Sequence, residues 1–236
     1  MSGRRPPLLV GVDGCRGGWV AVSRQGRRFR WRRLRTLAEL FEDPDQRPAV
    51  VAVDIPIGLT DRGARLCDRA ARERLGVRRS CVFPAPIRPL LSATSRAGAS
   101  ARRVRLEGKG VSCQAWAIVD KIREVDELLR RRPDCRPIVR EVHPEICFAA
   151  LNGGPPVAPK RTPSGLARRI ALLRTWCGDA VVQALGDRRA LGCAADDIVD
   201  AFATLWTAAR IQRGRAVTLP ARPPRDAHGL PMEIVV

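Results

Sequence analysis

Residues 8 to 22, LLVGVDGCRGGWVAV, constrain the fold more than any other stretch of the chain. Apolar residues and one glycine lead to Asp13, a glycine-rich turn follows, and a second apolar run begins at Trp19. The pattern predicts a buried strand carrying a carboxylate at its end, then a hairpin into an antiparallel partner. An acid at the tip of a buried strand is costly unless a positive group meets it, and a metal ion is one such group. Taken alone, Asp13 is equally well explained as a turn-capping aspartate.

Alternation predicts two more strands at 19–23 and 29–34, joined by a turn around Gln25-Gly26, so the chain opens with a three-stranded antiparallel meander. Thr36 is placed to cap a short helix, LAELFED, that stops before Pro44. Residues 49–54, AVVAVD, form the nearly continuous apolar run of a strand buried on both faces, and this run also ends on an acid, Asp54. Pro56 then takes the chain out of the ladder. In open α/β sheets, ligands gather at the carboxyl ends of strands, where both aspartates are placed.

Further along, 61–76 reads as an Arg-rich amphipathic helix, and 78–91, RRSCVFPAPIRPLL, as an irregular stretch, either a substrate-facing loop or a rigid connector. Residues 92–112 carry only a weak helical signal. From Ser112 to Arg131 a stripe of Ala115, Ile118, Val119, Ile122, Val125 and Leu129 predicts one strong helix, stopped by Pro133. A short strand at 137–143 leads into HPEICFAALNGG, where Glu141, His143 and Glu145 lie close in sequence. A proline-rich loop at 155–163 carries Lys160 and Arg161, and Ser164 is placed to cap a helix through Cys177, followed by a short one at 180–185. The strongest helix spans 194–213, with Asp197 and Asp200 on one face and Asp196 at i,i+4 to Asp200. First-turn acids suit a helix dipole, which accounts for Asp196 and Asp197 but not for Asp200. The end of the chain predicts a short strand and a tail docked on the sheet.

The net charge of +19, from 43 Lys+Arg against 24 Asp+Glu, favours polyanions. Nearly all of these cations are arginine, which a coding sequence rich in G and C also produces, so the charge alone is weak support for nucleic-acid binding. The eight cysteines contain no C-x-x-C pair, and the two histidines, at 143 and 228, do not suit a His-rich zinc or iron site. Neither G-x-x-x-x-G-K-[ST] nor G-x-S-x-G occurs. No apolar run is long enough to span a membrane, and MSGRRPP predicts neither leader nor anchor, which together predict a cytoplasmic protein with reduced thiols. Oxygen-only ligands suit Mg²⁺ or Mn²⁺, and a pair of such ions can activate a water and stabilise the leaving oxygen of a phosphodiester.

The order VGVDG, three antiparallel strands, helix, VDIPIG, and a late helix with D-x-x-D-A at Asp197, Asp200 and Ala201 resembles the ribonuclease H-like fold. More narrowly, GVDGCRGGWV, DIPIGL, RLCDRAARERLG with VFPAPIR, the Gln114 segment, EVHPEICFAALNG, KRTPSGLARRIALL and ADDIVDAFATLWTAARI resemble domain of unknown function 429, a family predicted to be RNase H-like nucleases. The resemblance implies an α/β fold with a mixed central sheet, three antiparallel strands and then parallel ones, flanked by helices. It implies one domain over 1–236 with an Arg/Pro-rich helical insertion at about 60–133. It further implies a divalent-metal-dependent nuclease acting on DNA or RNA. Asp13 and Asp54 match the strand-end acids of that fold, Asp200 with Asp197 match the helical acids of its resolvase branch, and Glu145 of the HPE motif is the additional acid. The implied metal ligands are Asp13, Asp54, Asp197 and Asp200, with Mg²⁺ or Mn²⁺ as cofactor; His143, Lys160 and Arg161 are the implied substrate contacts. A homodimer is one arrangement common in the resolvase branch. Two departures, Cys81 where a serine is expected before VF and a VV terminus where an aromatic is usual, touch none of these residues. Two alternatives share features of this pattern. An actin- or sugar-kinase-like phosphotransferase or ATPase has the same sheet core, although 236 residues is short for its two domains. A non-catalytic module binding nucleic acid through charge is the other.

Overall fold

The computed structural model describes residues 5–236, so Met1 to Arg4 of the MSGRRPP stretch lie outside the described residues. The meander forms as expected, with β1 (Leu8–Cys15), β2 (Gly18–Gln25) and β3 (Arg28–Leu34) pairing antiparallel in sequence. The short helix after Thr36 is a 3₁₀ turn, Leu37–Phe41. Its Glu39 carboxylate accepts from the Arg35 and Thr36 amides at 2.8 and 3.1 Å. β4 (Val50–Val53) follows, and α1 (Leu66–Leu75) starts five residues later than the periodicity predicts, after Gly63 at φ 75° and an extended Arg65 have broken the helical run. The weakly predicted stretch holds a full helix, α2 (Arg96–Glu107), whose cap Ser95 accepts from Gly98 N at 3.1 Å. The single helix expected over 112–131 is two, α3 (Cys113–Ala117) and α4 (Val119–Arg131), divided at Ile118 with φ −106° and ψ 0°. Then come β5 (Val139–Glu141), α5 (Pro144–Leu151) and α6 (Pro163–Cys177). Thr162 rather than Ser164 caps α6, accepting from Gly165 N at 3.1 Å, because Pro163 is suited to the first helical position, where no N–H is needed. The chain closes with α7 (Ala180–Gly186), α8 (Arg188–Leu191), α9 (Ala195–Gln212), β6 (Thr218–Leu219) and β7 (Ile234–Val235). Among the described residues no helix is long and apolar enough to cross a membrane.

The chain divides into two compact units. The first comprises the chain up to Asp54, Pro137–Ala216 and Val235–Val236. It is an α/β unit on a mixed five-stranded sheet of order β3-β2-β1-β4-β5, in which β4 runs parallel to both β1 and β5. The apolar run of β4 is wholly buried, as a strand covered on both faces requires. α9 lies across β1 so closely that a Cβ at Gly11 would strike the backbone of Ala201 and Leu205, which makes glycine obligatory in the VGVDG motif. The core between sheet and helices includes Val20, Val22, Phe148, Leu173, Phe202 and Leu205. Val142 bridges Val235 in parallel, so the tail does dock at the edge of the sheet.

The second unit comprises Ile55–Arg136 and Val217–Ile234. Buried ion pairs fix its proline-rich stretch. The Asp68 carboxylate accepts from Arg65 Nη2 at 2.6 Å and from Ala85 N at 3.1 Å, while Arg65 Nη1 donates to Ile57 O at 3.0 Å. Arg88 forks onto Asp126 at 2.9 and 3.1 Å and also donates to Asp226, which accepts from the Leu59, His228 and Leu230 amides. Carboxylates held by several donors of this kind turn an irregular segment into a rigid connector.

Candidate active site

The parallel register of β1 and β4 ends at the pair Val12 and Val53, and the next residues on the two strands are Asp13 and Asp54. The Asp54 amide donates to Val12 O at 3.0 Å, extending the ladder one step. Because strand side chains alternate, Asp13 shares the face of Gly11, the face that α9 covers. Asp200 of α9, next to the Ala201 that Gly11 abuts, is delivered to the same place. Asp13 is 7% exposed and Asp200 4%. Three acids from distant parts of the sequence thus meet at the carboxyl ends of adjacent strands.

Their proton affinities register the crowding. Burial pushes Asp13 well above the usual carboxylate range, and the charges of Asp54 and Asp200 push it further. Burial also raises Asp54, although a hydrogen bond from the Asp13 side chain and the nearby His143 and Lys160 pull it back. Asp200 is pushed up to about 7 by burial, against the pull of Lys160. A carboxylate with a raised folded value binds more protons folded than unfolded, so it stabilises the protein at low pH and loses that contribution as pH rises. For Asp200 the loss runs from the ordinary 3.8 of an aspartate up to about 7. Above about pH 5 ordinary carboxylates are ionised in both states. Between there and neutrality, melting temperature in EDTA is expected to fall with rising pH, and Asp200→Asn to flatten the fall. A wild-type melting temperature that climbs through this window would contradict the arrangement.

Two cations already answer these acids. Lys160, in the loop before α6, places Nζ 2.6 Å from Asp200 Oδ2 and 3.2 Å from Asp196 Oδ2, and its proton affinity is raised by those charges against the effect of burial. Glu145, in the first turn of α5, is gripped by Arg169 Nη2 at 2.8 and 3.0 Å. Arg169 is fully buried, donates also to Ala158 O and Gly165 O, and lies over the Phe148 ring with 5.1 Å to its centroid. Asp197 accepts from Ala194 N at 3.0 Å, as a first-turn cap does, while its charge still reaches Asp13. His143 sits at the start of α5, its charge acting on Asp54 and its Nδ1 buried with no hydrogen-bond partner. Arg161 is exposed on the loop beside Lys160. Among the described residues no three His, Cys, Asp or Glu side chains stand at the spacing of a metal site.

Arg169 is the residue that sequence reasoning missed. Its signal was present: it falls at i+4 from Gly165 and at i−3 and i−4 from Leu172 and Leu173, in the middle of the buried stripe of α6. A lone arginine at a core position requires a buried carboxylate, and Glu145 was the acid already singled out.

A family model described as "Protein of unknown function (DUF429)" matches residues 11–225. The chain belongs to this family. The DUF429 match opens at Gly11 and extends beyond α9, so it contains Asp13, Asp54, Glu145, Lys160, Arg169 and Asp200. No curated protein and no solved structure matches the chain.

Proposed function

We propose that this DUF429 protein is an RNase H-like, divalent-metal-dependent nuclease that hydrolyses phosphodiester bonds of DNA or RNA in the cytoplasm. The observation that supports the reading is the convergence of buried Asp13 and Asp200 with half-buried Asp54, three carboxylates whose proton affinities are all raised. Such a set is electrostatically unfavourable on its own and suits a cation of the hard, oxygen-preferring kind. The donor chemistry fits Mg²⁺ or Mn²⁺, and the orphaned His143 Nδ1 beside Asp54 leaves a polar atom free for water or phosphate. When bound, such an ion supplies activation of water and stabilisation of the leaving oxygen. Asp13, Asp54 and Asp200 would hold it, and Asp197 would add negative charge from the first turn of α9. Glu145 acts through Arg169, fixing the start of α5 and with it His143. Lys160 gives up Asp200 and joins Arg161 in contacting phosphates.

A second reading has a specific observation in its favour. Lys160 already neutralises Asp200, and Arg169 neutralises Glu145, as expected of a charge network that only holds the fold of a non-catalytic nucleic-acid-binding module. A calorimetric titration with Mn²⁺, run with cleavage assays on branched, hybrid and single-stranded substrates, separates the two. The nuclease reading expects Mn²⁺ binding and Mn²⁺-dependent cleavage. It also expects Lys160→Met, which removes the ammonium competing for Asp200, to tighten Mn²⁺ binding by about tenfold. Absence of Mn²⁺ binding in both proteins would leave the second reading standing.

A further inference from the structure

The strongest concentration of charge that the acidic site does not use lies on β3. Six of the nine residues from Arg27 to Arg35 are arginine, and all six are exposed. Among the described residues none of the six is paired with a carboxylate. Arg33 donates to Arg16 O and Arg32 to Glu39 O, both carbonyl oxygens. The Glu39 carboxylate, which feels the charges of Arg35 and Arg32, is hydrogen-bonded by backbone amides and leaves most of the row's charge unmatched.

Strand geometry sorts these side chains. Phe29 and Trp31 face the helices: Phe29 stacks on Phe202 and meets Trp176 edge-on, and Trp31 Nε1 donates to Asp187 Oδ2 at 2.8 Å. Arg28, Arg30 and Arg32 alternate with them and stand in one row on the opposite face, each about 7 Å from the next. They line, with Arg5, one wall of a groove of about 500 Å³. The other wall carries Glu39, Glu42 and Asp43, of which Asp43 is spent on Asp45 N and Gln46 Nε2. Asp13 lies on the α9 face of the sheet, so this row is separate from the acidic cluster.

We propose that β3 is a track for a nucleic-acid phosphate backbone, with Arg28, Arg30 and Arg32 each taking one phosphate. A linear polyanion matches a row of evenly spaced guanidinia and is attracted through release of its counterions. A lipid surface fits less well, since the large apolar side chains exposed elsewhere in the molecule, such as Phe83 and Val77, have no counterpart on β3. The proposal stands independently of cleavage, because it requires neither metal nor the carboxylates.

The test is binding of a labelled oligothymidylate in EDTA across a salt series. Comparison is made among wild type, Arg28→Gln/Arg30→Gln/Arg32→Gln, and a control triple of equal charge, Arg69→Gln/Arg105→Gln/Arg188→Gln. Each single-strand phosphate contact contributes about 0.7 to the slope of log affinity against log salt, so the β3 triple is expected to flatten that slope by about 2. With lines converging near 1 M salt, that is roughly a hundredfold weaker binding at about 0.1 M. The control is expected to behave as wild type. Equal losses in both triples would mean diffuse attraction and overturn the proposal. An unchanged slope in the β3 triple would mean that the arginines serve only to keep an edge strand from pairing with another chain. Tighter, β3-dependent binding to anionic vesicles would replace nucleic acid with membrane. Melting curves check folding, and Arg28→Gln alone, expected to flatten the slope by about 0.7, serves if the triple is unstable. Failure here leaves Mn²⁺-dependent cleavage untouched, and loss of cleavage leaves this binding intact.

Discussion

Asp13→Asn is expected to lower Mn²⁺-dependent cleavage about a thousandfold while leaving the fold intact. The first effect follows from the place of Asp13 at the end of β1, between Asp54 and Asp200, where its negative charge is one of three available to a cation. The second follows from what its charge costs there. Burial and the charges of Asp54 and Asp200 press Asp13 toward its neutral form, and an asparagine amide occupies the same place without a charge to bury. At alkaline pH, where ionised Asp13 would carry the full cost of burial and of two like charges, the variant is expected to melt higher than wild type in EDTA. Single-turnover cleavage with saturating Mn²⁺ and alkaline melting curves check the two halves. A rate within a few-fold of wild type removes Asp13 from the chemistry, and a collapse in melting temperature would make it structural.

Arg169→Met is expected to cost about 3–5 kcal/mol of stability, because it strands the buried Glu145 carboxylate without its cation. The loss includes the donations to Ala158 O and Gly165 O and the stacking on Phe148. Replacing both partners, Glu145→Leu with Arg169→Met, is expected to recover much of it, since a buried ion pair is worth little more than the apolar groups that can replace it. Urea denaturation of the two single variants and the double variant gives the coupling directly. A single-variant cost below about 1 kcal/mol would show that Glu145 is solvated without Arg169, and would reopen it as a group free to act at the neighbouring carboxylates.

Much of this arrangement was legible along the chain. The acid-terminated runs at Asp13 and Asp54 became the ends of adjacent parallel strands, and the meander, β4, the late helix and the docked tail stand where alternation and periodicity put them. Misreadings occurred where two local signals competed. The apolar stripe across 112–131 is continuous, so it conceals the break at Ile118. Ser164 and Thr162 are both good caps, and the proline between them settles the choice. The helix at 96–107 is rich in arginine, and only Ala99, fully buried, and Leu106, partly buried, tie its face to a core.

Periodicity and strand-ending acids are properties of neighbouring residues, so the chain announces them before it folds. Which cation meets which acid is a relation through space: Lys160 reaches Asp200 across 40 residues, and Arg169 reaches Glu145 across 24. A carboxylate's charge depends on the burial and the partners around it, and those exist only after β1, β4, α6 and α9 have packed. The acids were therefore visible as candidates in the linear chain, whereas their raised proton affinities, their counter-ions and the separate arginine row on β3 emerged from the packing.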